Sequence, residues 1–310
     1  MRTVSIDIPT LEAATHLPAL RRAIDSQSLQ PLEVVVVDSS STDATSRLAV
    51  EFGWRCAVIQ RAAFDHGGTR NLGASLATGD TLVFLTQDAL PADEWWLSNL
   101  IEPLGEGDVV AAFSRQLPRS DATLREVFTR LKNYPPEGRA FRETDVQGLG
   151  IKALFFSNVS SAVTRMAFNE VGGFPERAIL NEDGYLATRL LERGYAFRYE
   201  ATSRVVHSHD YGIGMQFRRY FDIGVSHAEG PPLMRGASAT GAGMRFIREQ
   251  MRYLIDQGAW AEAAQAFVEA GAKYLGYRLG RSHQRLPLRW RRRLGWNTRY
   301  WARPSTGCDT

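Results

Sequence analysis

The stretch Glu33-Val34-Val35-Val36-Val37-Asp38-Ser39-Ser40-Ser41-Thr42-Asp43 changes character at a single residue, where four valines give way to an acid and then to small hydroxyl side chains. A continuous β-branched run marks a strand covered on both faces, since an alternating pattern would leave one face polar. The polar run after it is turn chemistry, with Thr42 or Asp43 placed to cap a helix over 43–52. Upstream, Val4 to Ile8 is a second β-branched run. Between the two, Leu17, Leu20, Ala23 and Ile24 recur at helical spacing and predict a helix over 17–28. Strand, helix, strand is a βαβ unit. The alternation goes on with a strand near 57–60, a helix over 68–77 and a strand over 81–85, which predicts an α/β fold with a mainly parallel sheet covered by helices. Ligands of such sheets bind beyond the carboxyl ends of the strands, where Thr10, Asp38 and Asp88 stand.

Further along, the pattern predicts helices near 95–104 and 121–132, a strand near 109–113, a loop rich in Pro, Gly and charge over 134–143, an apolar segment at 153–156, a helix from about Asn181 and a strand near 204–207. From about Gly214 strands give way to helical patterns, clearest over 244–255 and 259–279. Residues 281–303 interleave eight arginines, Arg303 the last, with Trp290, Trp296, Tyr300 and Trp301, a composition suited to an anionic membrane surface.

The 310 residues are 44% hydrophobic and 23% charged, which excludes disorder and a polytopic membrane protein. The 37 Lys and Arg nearly balance 34 Asp and Glu, so the chain as a whole is no generic nucleic-acid binder. Cys56 and Cys308 are the two cysteines, too few for a disulfide framework or a cysteine-based zinc site, and a reducing compartment fits. The sequence has no run of about 18 uncharged apolar residues. Without a signal-like start either, cytoplasmic residence is expected.

Four segments carry candidate chemistry. In Phe64-Asp65-His66-Gly67-Gly68-Thr69-Arg70-Asn71 two glycines beside a helix start allow close backbone approach to a ligand, and Arg70 can meet phosphate oxygens or lie on the surface. Asp88, in Thr86-Gln87-Asp88-Ala89, follows a buried strand and is either an oxygen ligand for a divalent cation or a turn acid before Pro91. Glu182 and Asp183 stand in a first helical turn, where acids cap the helix or, at a site rim, serve as a general base. His207 and His209, two residues apart at a strand end, point to one face and can share a metal with Asp88.

In this order, these segments, together with Ser114-Arg115-Gln116-Leu117-Pro118, Phe156-Ser157-Asn158, Gly172-Gly173-Phe174-Pro175 and Phe217-Arg218-Arg219-Tyr220-Phe221-Asp222, resemble the inverting family 2 glycosyltransferases of the GT-A fold, in their bacterial rhamnosyltransferase-like branch. The resemblance covers residues 3–228. It implies that Asp38 binds base and ribose, with Thr10, Ser40 and Gln87 on the same nucleotide-sugar side. Arg70 lies on the nucleotide side of the cleft, and Asp88 holds the diphosphate through Mg2+ or Mn2+, with His207 or His209 completing the metal shell. Arg115 and Asn158 face the sugars. Asp183 is the catalytic base, with Glu182 beside it. The implied donor is dTDP-L-rhamnose and the acceptor a lipid-linked cell-surface glycan, with the C-terminal tail holding the enzyme at the inner face of the membrane. The sequence departs from the family at Thr86, where an Asp-X-Asp motif has its first acid, and at Ser40 and Ala44, where glycine is more usual.

The resemblance places a glycosyltransferase domain at 1–228 and a helical extension at 229–310. A different nucleotide sugar is the nearest alternative. A sugar nucleotidyltransferase would need a Gly-rich basic loop after its first strand, where this chain reads Pro9-Thr10-Leu11-Glu12-Ala13. A non-catalytic sugar-nucleotide-binding module would have no use for both the metal acid and the acidic pair.

Overall fold

The computed structural model describes residues 2–237 and 242–302; Arg303 and Cys308 lie outside the described residues. Nine strands form one sheet: β1 (Val4–Thr10), β2 (Glu33–Asp38), β3 (Arg55–Val58), β4 (Thr81–Leu85), β5 (Leu90–Pro91), β6 (Val109–Leu117), β7 (Arg139–Phe141), β8 (Ser160–Thr164) and β9 (Ala196–Val206). Their order is β3-β2-β1-β4-β8-β6-β9-β5, with β7 on β9. The β3-β2-β1-β4 half is parallel, and so is the β6-β9 pair. The chain winds outward from β1 to β3 and returns to β4 on the other side of β1. That reversal opens a crevice at the carboxyl ends of β1 and β4.

Burial on both faces explains the unbroken apolar strands. Ile6, Ile8, Val34 and Val36 pack on one side with Leu17, Leu20 and Trp96. Val35, Leu82, Phe84, Phe113 and Phe197 pack on the other with Ala74, Leu186 and Leu190.

Three features depart from the sequence reading. Strand β8 pairs antiparallel with both β4 and β6 and fills the sheet between its two parallel parts. Its residues Ser160, Ser161 and Thr164 lack an apolar run, and neighbouring strands supply the burial. The expected loop over 134–143 contains β7, whose Arg139 pairs with Asp145, and Arg142 just after it pairs with Asp108. Strand β3 lies two residues earlier than expected, and β9 begins eight residues earlier.

Helix Ile213–Glu229 ends where the expected domain boundary falls, and helix Trp260–Arg281 packs along it. Glycines set that approach: a Cβ on Gly280 would lie 2.0 Å from the Phe221 carbonyl oxygen, and one on Gly276 2.4 Å from that of Phe217. The tail folds back. Trp301 is buried beside Ile179, Phe221 and Val225, so this part of the aromatic run serves the core. Trp290, Arg289, Arg292 and Arg293 stay exposed.

Candidate active site

A cleft of about 1040 Å³ opens over β4, β6, β8 and β9 and is lined by Arg70, Asp88, Asn158, Glu182, Asp183, His207 and His209 among others. Seven of the residues singled out in the sequence thus meet in one cavity.

The metal candidates converge. Asp88 follows β4, and the two histidines follow β9, two strands further on than β8. His207 Nε2 and His209 Nε2 lie 3.1 Å apart, and Asp88 Oδ2 is 3.6 Å from the first and 3.1 Å from the second. One ligand atom from each residue falls within 4.8 Å of the others, a spacing that one cation can bridge. His207 Nδ1 is 3.0 Å from Gln116 Oε1, an oxygen that also accepts from Arg130 Nη1 at 2.5 Å. An imidazole that donates from Nδ1 presents the Nε2 lone pair to a metal, so Gln116 fixes the useful tautomer. A donor set of one carboxylate and two imidazoles therefore fits a divalent cation. Thr86, in place of a first acid, lines the same cleft with its buried hydroxyl unpartnered.

Opposite stand the two acids. Helix Glu182–Glu192 begins after Asn181, whose φ of 62° turns the chain so that both carboxyl groups reach the cleft. Burial pushes Glu182 up, yet Arg70, His66 and the Asn158 side chain outweigh it and hold Glu182 below the usual range. Asp183 goes the other way: burial first, then the Glu182 charge, push it up to about 7. Two adjacent carboxyls pushed in opposite directions, one held as an anion and one raised toward neutral pH, are an arrangement that can support acid–base chemistry. Asp183 Oδ2 accepts from Asn158 N at 3.2 Å and Oδ1 from Gly184 N at 2.8 Å, which holds the carboxylate in place.

The remaining expected residues do not line this cleft: Thr10, Asp38, Ser40 and Gln87 stand at the carboxyl ends of β1, β2 and β4, and Arg115 lies on β6. Asp38 is fully buried, and its carboxylate accepts from Thr10 Oγ1, Ser41 N, Ser41 Oγ and Ser46 Oγ. All four partners are within the chain, so Asp38 organises the turn above β2. Ser40 sits in that turn at φ 58°, with its hydroxyl donating to the Ile59 carbonyl. Gln87 exchanges two hydrogen bonds with the Leu11 backbone and ties the ends of β1 and β4 across the crevice. Arg115 turns away from the cleft to donate to the Tyr134 carbonyl, while its neighbour Gln116 faces the metal candidates. Strand alternation decides between those two neighbours. His66, Gln116, Arg130 and Arg219 also line the cleft, and so does Trp296, which the sequence reading placed in the membrane-facing tail and the fold turns inward instead. The irregularity between Ser114 and Arg115 breaks the period-two phase that would point to Gln116, and Arg130 and Trp296 arrive by tertiary packing alone.

Residues 5–172, from β1 through β8, match Glycosyl transferase family 2. The chain is 37% identical over 305 residues to the O-antigen chain rhamnosyltransferase WbaN of Salmonella anatum, covering 97% of this chain and 96% of that one. It is equally 37% identical over 302 residues to the O-antigen chain rhamnosyltransferase RfbN of Salmonella typhimurium, covering 96% of each. Among solved structures, the mannosyltransferase PcManGT from Pyrobaculum calidifontis, in complex with GDP-Man and Mn2+, matches with a TM-score of 0.57 at 20% identity, over 97% of this chain and 85% of that one, a likeness of fold. Sheet order, strand-end chemistry and full-length relatives agree: the chain has the GT-A fold and belongs to glycosyltransferase family 2.

Proposed function

We propose that the enzyme transfers L-rhamnose from dTDP-L-rhamnose, with inversion, onto a growing lipid-linked cell-surface glycan at the cytoplasmic side of a membrane. The full-length similarity to two O-antigen chain rhamnosyltransferases supports the sugar and the acceptor class. The separated titrations of Glu182 and Asp183 carry the chemistry.

In this reading Asp183 accepts the proton of an acceptor hydroxyl as that oxygen attacks the anomeric carbon. The carbon–oxygen bond to the diphosphate breaks in the same step, and the configuration inverts. General-base help of this kind contributes about 10²- to 10⁴-fold. Glu182, kept charged by Arg70, maintains the raised affinity of Asp183 for the proton. Asp88, His207 and His209 would hold Mg2+ or Mn2+, with two imidazoles favouring Mn2+, and Gln116 would orient His207. Such a cation neutralises the charge that develops on the leaving nucleoside diphosphate. Asp38, Thr10, Ser40 and Gln87 shape the nucleotide end through the turns they organise.

The test is a donor panel: purified enzyme with Mn2+ or Mg2+ and dTDP-L-rhamnose, UDP-GlcNAc or GDP-mannose, read by thermal shift and nucleoside diphosphate release. The largest response is expected with dTDP-L-rhamnose. A response confined to another donor would remove the rhamnosyl assignment and leave the family.

A further inference from the structure

Helix Trp260–Arg281 is apolar on two sides. Its inner side, with Ala263, Ala266, Gly276 and Gly280, is buried against the rest of the protein. Its outer side exposes Trp260 (67%), Phe267 (67%), Val268 (53%), Tyr274 (65%) and Leu275 (53%). These recur at three-, four- and seven-residue spacing and form one stripe, with small exposed Ala264 and Gly271 between them. From Trp260 to Leu275 the stripe runs about 22 Å at the helical rise. Isolated exposed apolar residues need no cover, but a contiguous stripe of this size marks an interaction surface.

Charge identifies the occupant. Between residues 257 and 302 the sequence holds nine Lys or Arg and two acids, Glu262 and Glu269. Both acids turn to one half-buried partner: Arg125 lies 3.4 Å from Glu262 and pairs also with Glu269. Helix Trp260–Arg281 is thus left without a carboxylate on its outer face, and Asp256, the exposed acid just before it, stands 3.9 Å from Arg252, while Arg278, Arg285, Arg289, Arg292 and Arg293 follow the stripe exposed. A second copy of this face would bring more cations and no acid to answer them. Anionic lipid headgroups supply the missing charge, and Trp and Tyr at the ends of an apolar stripe suit the boundary between headgroups and acyl chains. No helix among the described residues is long and apolar enough to cross a membrane, so the contact is one that lies on the surface.

We propose that the outer stripe of helix Trp260–Arg281, with the exposed arginines that follow it, docks the enzyme on a membrane surface containing anionic lipid. The face moves with the active site. Helix Ile213–Glu229, against which the docking helix is locked by Gly276 and Gly280, contributes Arg219, Tyr220, Ile223 and His227 to the cleft. Two packed helices are about 8–10 Å apart between axes, so a docked stripe places the cleft wall within one helix of the bilayer. This inference deepens the proposed use of a lipid-linked acceptor and rests on that reading for its purpose, but its test needs neither donor nor acceptor.

Full-length protein is floated with vesicles of phosphatidylethanolamine and phosphatidylglycerol, and in parallel with phosphatidylcholine alone, at low and at physiological salt. Binding is expected to the anionic vesicles, weakening with salt. The double variant F267S/L275S, altered only at exposed positions, should bind at least tenfold more weakly with an unchanged melting temperature and unchanged nucleoside diphosphate release from donor. R278Q/R285Q should lose the salt-sensitive part. Wild-type binding by F267S/L275S would overturn the proposal. So would a dimer by light scattering that F267S/L275S converts to monomer in a protein that ignores vesicles.

Discussion

Arg70 Nη1 lies 3.3 Å from Glu182 Oε1, with both side chains almost completely buried, so one guanidinium sets the charge state of the acidic pair. Removing one partner of a buried pair leaves an uncompensated charge and costs about 3–5 kcal/mol. Arg70→Met should therefore destabilise strongly, and the double variant R70M/E182L should recover most of the loss. Urea denaturation of the two single variants and the double one checks this; additive losses would show that the pair is not coupled.

As the proposed general base, Asp183 is expected to carry the pH dependence of transfer. It must be ionised to accept a proton, so transfer should rise with pH through about 7. Glu182→Gln removes a charge that raises Asp183, and the acidic limb should move to lower pH in the fraction that folds. A pH–rate profile of kcat for both proteins is the measurement, and an unmoved limb would detach Glu182 from this role.

The same shift has a stability consequence of opposite sense. An acid whose folded pKa is raised holds a proton in the folded state that the unfolded chain releases above about 4. Native stability therefore declines as pH rises from there through about 7, where Asp183 finally ionises in the fold. Asp183→Asn carries no such charge and keeps an oxygen for Asn158 N or Gly184 N. It should lose transfer by at least ~10²-fold while melting higher than wild type at pH 8. A melting temperature that falls at pH 8 would contradict the buried-acid account.

The chemistry was legible in the sequence where it stands at strand ends. A parallel strand buried on both faces announces itself as an apolar run, and the acid after it, as at Asp88, is placed by topology. His207 and His209 were legible through period two. Asp38 stands where expected at the end of β2, but the four local donors that hold its carboxylate are set by the fold of the following turn, which residue order does not show. Strand β8 was hidden because its serines take their apolar surroundings from β4 and β6. Gln116 against Arg115 turned on strand phase, which the bulge between Ser114 and Arg115 interrupts.

Gln116 gives the next expectation. Gln116→Leu keeps the volume of the side chain but withdraws the acceptor 3.0 Å from His207 Nδ1. Loss of such an orienting partner typically weakens a metal site by about 10–100-fold. Mn2+ affinity, followed by calorimetry, should fall by that amount in Gln116→Leu and be abolished in Asp88→Ala. Equal affinity in Gln116→Leu and wild type would mean that the tautomer is set elsewhere.

The folded-back tail reaches the same cleft through Asp222. Its Oδ2 accepts from Trp296 N at 3.0 Å and Asn297 N at 2.8 Å, and the residue is fully buried. Trp296 in turn lines the cleft and receives the Arg219 guanidinium 5.1 Å from its ring centroid. Burial pushes Asp222 up to about 7, so its charged form predominates at pH 8, where hydrogen bonds to a charged group contribute about 1.5–3 kcal/mol each; there Asp222→Ala should release the segment from 295 onward, whereas Asp222→Asn retains one acceptor oxygen and should release it less. Limited proteolysis should cut the alanine variant faster within 282–302 and leave the sheet intact. Because the loosened segment carries Trp296, which lines the cleft, kcat/KM for transfer should fall with it. A proteolysis pattern identical to wild type would show that Trp301 and its apolar neighbours hold the tail without Asp222.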